Sequence, residues 1–108
     1  KLLAMKAAGV DMPDFGGPWF NNVLHKGSVA VNMTRRAANS TDNRNFSAVE
    51  CQLREDIFTF TKILKENFKE FKDCYVASTA PQAGIRESRR IAGVHTVTAE
   101  QYVASYHY

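Results

Sequence analysis

The stretch SAVECQLREDIFTFTKILKENFKEFK, residues 47–72, decides the fold. Val49, Leu53, Ile57, Phe60, Leu64, Phe68 and Phe71 recur every three or four positions, which is the period of one helix face. Phe58 and Ile63 widen that stripe. Ser47 followed by Glu50 has the S-x-x-E form of a capping box, in which each side chain satisfies an orphan backbone donor of the first turn. Lys65, Lys69 and Lys72 gather at the other end, where the helix dipole favours cations. The spacing predicts one amphipathic helix about 36 Å long. A stripe of that length needs a sheet or other helices along it, and it reads as core rather than as a cofactor box.

Upstream, GSVAVNMT (27–34) alternates Val29, Val31 and Met33 with Ser28, Ala30 and Asn32. Period two predicts a half-buried strand beginning after Gly27. RRAANSTDNRNF (35–46) reads as a loop with Thr41, Asp42 and Asn43 as turn formers. At the start, KLLAMKAAGV is helix-compatible, with Gly9 as its C-terminal stop. DMPDFGGPWFNN (11–22) is rich in Gly, Pro, Asp and Asn and reads as a loop. Its aromatics Phe15, Trp19 and Phe20 are expected to pack it against the domain rather than to cover a substrate. Downstream, CYVASTA (74–80) and IAGVHTVT (91–98) have strand character. Thr98-x-x-Gln101 is a second capping box, opening a short helix through AEQYVAS. The fold class read from these elements is α+β: a mostly antiparallel sheet with one long amphipathic helix, about 47–72, packed across it.

A chain of 108 residues makes one domain. Its net charge of +3 is too small and too dispersed to implicate nucleic acid. No apolar run approaches the roughly 20 residues of a membrane span. Cys51 and Cys74 sit near opposite ends of the expected helix, about 35 Å apart along its axis, whereas a disulfide needs Cα atoms within about 7 Å. Two reduced thiols point to a cytoplasmic setting. His25, His95 and His107 are scattered and no CxxC occurs, so no metal site is expected. The chain starts with Lys, without a signal peptide, and the tail YHY carries no helix stop. Both ends read as cuts from something longer.

The densest charge lies in GIRESRRIAG, residues 84–93. As a helix it would stack Arg86, Arg89 and Arg90 on one repulsive face. As a strand it would send Arg86, Ser88 and Arg90 one way and Glu87 and Arg89 the other; the flanking glycines and the β-branched run that follows favour the strand. Arginine suits bidentate binding of carboxylate or phosphate, and Glu87 would orient it. Exposed salt-bridge residues are the bland reading of the same charges. His95, among Ile91, Gly93 and Val97, reads as a core histidine before it reads as a base. Asn32, Thr34, Arg35 and Arg36, at the end of the first strand, stand where a binding loop would start.

The stretch AGIRESRRIAGVHTVTAEQ, residues 83–101, resembles a signature of a family of FAD-dependent oxidoreductases, roughly G-[IV]-R-E-[ST]-R-R-I-x-G-x-Y-x-L-T-x-x-D. Gly84, Ile85, Arg86, Glu87, Ser88, Arg89, Arg90, Ile91, Gly93 and Thr98 fit it. His95, Val97 and Gln101 depart from it, standing where the pattern has Tyr, Leu and Asp. The order of strand, polar loop, long helix and arginine motif is similar to that family from about residue 27 to 102. The resemblance implies an internal piece, residues 1–108: the substrate or cap region of a larger flavoenzyme that carries FAD on a separate domain with a G-x-G-x-x-G turn. It implies hydride transfer between an organic substrate, carboxylate-bearing in one version, and the flavin. Arg86, Glu87, Arg89, Arg90 and His95 are then the substrate- or flavin-proximal candidates. The piece alone is expected to bind no FAD, to be inactive, to take its own FAD-binding domain as partner and to self-associate through an exposed apolar patch. Two rivals use the same residues: a small basic module for nucleic acid or another anion, and an interaction domain without chemistry.

Overall fold

The computed structural model describes residues 1–106. His107 and Tyr108, part of the tail that reads as lacking a stop, lie outside the described residues. Helix α1 spans Leu2–Ala7, strands β1 and β2 span Phe15–Asn22 and Val29–Thr34, helix α2 spans Asn43–Asn67, a 3-10 turn covers Lys69–Phe71, and helix α3 spans Ala99–Val103. β1 and β2 form a two-stranded antiparallel sheet in which Phe20 faces Val31 and Asn22 faces Val29. The α+β reading with one long helix therefore holds.

The long helix starts four residues earlier than the Ser47 reading. Asp42 is extended at φ −105° and ψ 108°, and its carboxylate accepts from the amides of Arg44 and Asn45. Asn45 Oδ1 in turn accepts from the Asn39 amide at 2.7 Å. Asp42 thus satisfies the orphan donors of the first turn, and Ser47 and Glu50 lie inside the helix. The helix also ends sooner, because Phe68 leaves helical geometry at φ −135° and ψ 115°. That break swings Phe71 to 5.9 Å from the Phe20 ring, between centroids.

Met33 of β2, Leu2 of α1 and Phe60 and Ile63 of α2 form the buried cluster, with Met5, Met12, Phe15 and Phe68 packed around it. Val49 and Leu64 are buried on the same helix. The apolar stripe is buried at Val49, Phe60 and Leu64 but only half-buried at Leu53, Ile57, Phe68 and Phe71, and Phe58 points away and is 61% exposed. Gly9 closes α1 as expected, at φ +85°: its amide bonds the Lys6 carbonyl and the Val10 amide bonds the Met5 carbonyl. This left-handed C-terminal motif favours glycine.

The stretch 11–22, read as a loop, is largely strand β1. Its Gly–Pro pair does not prevent pairing, because the register shifts between Phe15 and Trp19 and the interruption falls there. Gly17, at φ +76°, lies under the Trp19 indole; a Cβ there would come within 2.6 Å of it. Phe15 stacks edge-on to Phe60 with centroids 5.6 Å apart and Phe20 meets Phe71, whereas Trp19 folds over Gly16 and Gly17 and stays 59% exposed, so only part of the segment packs on the helix.

The two strands read at 74–80 and 91–98 do not form, and neither does the strand read over the arginine motif. Their β-branched residues have the propensity but no neighbouring strand edge to pair with, and a strand exists only as part of a ladder. The stretch after the 3-10 turn is held instead by one side chain of α2. Arg54 donates to Thr79 Oγ1 at 2.6 Å, to the carbonyls of Ala80 and Pro81 at 3.4 and 3.1 Å, and to Glu50 Oε1 at 2.9 Å. Arg54→Ala is expected to leave the helical circular dichroism intact and to lower the amide order parameters of residues 75–80, through the loss of about 1.4 kcal/mol of charge-assisted bonding. Unchanged order parameters there would show that the clip does not hold the segment.

The chain is open. A compact protein of this mass exposes about 6,000 Å² and has a radius of gyration near 13 Å. Here 9280 Å² is exposed and the radius is 18.3 Å. Tyr75, Ile91, Val94, Tyr102 and Val103 are each more than four-fifths exposed, as is Leu24 at the hairpin tip.

Candidate functional site

The arginine motif lies in an irregular, exposed segment between Arg54's clip and α3. Arg86, Glu87, Arg89, Arg90 and His95 are all exposed. Glu87 and Arg90, which strand alternation would put on opposite faces, form an ion pair at 3.5 Å. The i, i+3 spacing brings them together once the strand is absent. Ser40 Oγ, in the β2–α2 connection, donates to the Glu87 carbonyl at 3.3 Å. His95 is not a core histidine: its Nε2 lies 3.4 Å from Gln101 Oε1 of α3, on the solvent side. Thr98 and Gln101 form the expected capping box, with Gln101 Oε1 accepting from the Thr98 amide at 3.0 Å and Thr98 Oγ1 from the Gln101 amide at 3.3 Å.

The residues at the end of β2 fare differently. Arg36 lies two residues past the strand and reaches the middle of α2, where Nε and Nη2 each donate to the Asp56 carboxylate at 2.7 Å. The Asp56 side chain is only 5% exposed, and that of Arg36 is 37% exposed. This fork-to-fork pair makes two parallel charge-assisted bonds. The Asp56 hydrogen bond raises the guanidinium pKa above its ordinary value. The sequence reading missed Asp56. Its signal was there: it lies seven residues after Val49 and four before Phe60, on the buried side of the helix.

Close by, Lys6 Nζ bonds Asp14 Oδ1 at 2.6 Å. That hydrogen bond, with the ammonium charge, holds the Asp14 carboxyl below the usual carboxylate range. Among the described residues no group of His, Cys, Asp or Glu has the arrangement of a metal site, and no helix is long and apolar enough to cross a membrane. Cys51 and Cys74 are free thiols.

A family model described as FAD dependent oxidoreductase matches residues 1–108. The chain belongs to that family. No curated protein and no solved structure matches it. Membership brings FAD as the cofactor of the FAD dependent oxidoreductases, but the described residues do not fit its pyrophosphate. That group is usually taken by the bare amides at a helix N-terminus behind a glycine-rich turn. In α2 those amides are bonded by the Asp42 carboxylate, whose charge would repel the phosphates. α3 opens on the Thr98 box with Glu100 in its first turn, and α1 is a six-residue helix behind Lys1.

Proposed function

We propose that this chain is the substrate or cap region of a larger FAD dependent oxidoreductase, whose flavin is held by a separate domain. The bound flavin would supply hydride chemistry to or from an organic substrate. What carries this reading, beside family membership, is the uncovered surface: about half as much again as a compact chain of this mass would expose. The excess includes the arginine segment and its apolar neighbours. Ile91 and Val94 are almost wholly exposed within a few residues of Arg86, Arg89 and Arg90. Burial of those apolar groups against a flavin domain would bring the guanidiniums to the domain junction, where they would hold a carboxylate on the substrate. Without that domain the same surface favours self-association.

The full-length protein is expected to purify with bound flavin, visible in its absorbance, which a reducing substrate bleaches. Arg86→Ala and Arg89→Ala in that protein should leave the flavin bound and raise the KM for the substrate roughly tenfold, as loss of one charge-assisted contact does. A full-length protein that takes up no flavin would overturn the proposal.

A further inference from the structure

An open polar depression of about 440 Å³ lies between the α1–β1 connection and the middle of α2, lined by residues that include Asp11, Met12, Asp14, Arg36 and Thr59. It has room for a small ligand that keeps one side in solvent. We propose that it binds a small zwitterion, one molecule carrying both a carboxylate and an ammonium group, as a free amino acid does. The inference is independent of the flavoenzyme reading, since it uses none of the arginine motif.

Arg36 supplies the anion half. Its Nε and Nη2 edge is committed to the buried Asp56 carboxylate, which fixes the plane of the guanidinium. Of its five donors, those on Nη1 and the outer hydrogen of Nη2 remain for a ligand carboxylate. Asp11 supplies the cation half. Asp14 is engaged by Lys6, whereas Asp11 has no ion pair among the described residues. Thr59 adds an acceptor: its hydroxyl donates to the Glu55 carbonyl at 3.2 Å, so its oxygen can take an ammonium hydrogen. A plain anion here would meet the repulsion of Asp11, and a plain cation would leave the outer donors of Arg36 unused. A ligand bearing both charges engages both.

The test is a titration of the full-length protein with L-serine, followed by calorimetry and by the Arg36 Nε–H and Thr59 amide resonances. L-serine is expected to shift both resonances. L-serinamide, without the carboxylate, and N-acetyl-L-serine, without the ammonium, should each bind at least roughly tenfold more weakly. Asp11→Asn, at an exposed position, should lower L-serine affinity roughly tenfold and remove its advantage over N-acetyl-L-serine. Arg36→Lys keeps a charge but loses the fork, and should remove the advantage over L-serinamide. Equal binding of the three compounds, an Asp11→Asn variant that binds like the parent chain, or no L-serine binding would each overturn the inference. A full-length protein that carries flavin but ignores L-serine would sink this inference alone.

Discussion

Phe60→Ala is expected to remove about 3–5 kcal/mol of stability, the usual cost of emptying a buried phenylalanine site. Phe60 is the most deeply buried side chain in the core, 2% exposed. It is also where the elements meet: β2 through Met33, α1 through Leu2, and β1 through the edge contact of Phe15. Total stabilities of roughly 5–15 kcal/mol are ordinary for a domain, and a chain that leaves so much surface uncovered belongs at the low end. The substitution should therefore leave the chain largely unfolded at room temperature, read as lost near-ultraviolet dichroism and a urea midpoint near zero. Phe58→Ala, two residues away and 61% exposed, should stay within about 0.5 kcal/mol of the parent chain. Similar effects at the two positions would refute this account of the helix faces.

Asp56→Ala should have the second largest effect, lowering the melting temperature by about 10 °C, since it leaves the Arg36 guanidinium facing a gap instead of a carboxylate. Asp56→Asn, which keeps the shape and one acceptor, should lose about half as much. Changing Arg36 and Asp56 together to methionine should recover most of the loss, because no partnerless guanidinium is left and packing replaces the pair. An Asp56→Ala melt within about 2 °C of the parent chain would mean that the pair hardly contributes to stability.

The two halves of the chain were legible in the sequence to different degrees, for a physical reason. The stripe from Val49 to Phe71 is a local signal, because a helix closes its own hydrogen bonds within four residues. So is the alternation from Val29 to Met33, whose partner strand lies just upstream, although only Met33 of that face is buried and Val29 and Val31 stay exposed because no layer of the chain covers them. Thr98 with Gln101 and Gly9 likewise name their own geometry. The stretches 74–80 and 91–98 carry the same kind of strand signal, but a ladder needs a second strand, which neither stretch can announce alone. Asp42, which reads as a turn former, caps the helix in place of Ser47 because the earlier start adds a turn and its carboxylate takes the amides of Arg44 and Asn45. In the candidate site, the arginines of 86–90 were visible as chemistry but not as geometry. Asp56 was the reverse: an acid inside an apolar stripe, whose partner 20 residues upstream only the fold supplies.

Arg54 also has a bearing on how the chain folds. Its guanidinium closes a loop of 25 to 27 residues, and the hairpin closes across the short stretch between Asn22 and Val29. Loop closures of this size lose little chain entropy. The long closures are those that bring α1 to α2, such as Lys1 Nζ on the Asn67 carbonyl across 66 positions. Early order is thus expected around α2, with Arg54 collecting the segment that follows as the helix grows, and the first helix docking last. The segment bearing the arginine motif then arrives already tethered to the nucleus at one end, which confines it to a short radius around α2.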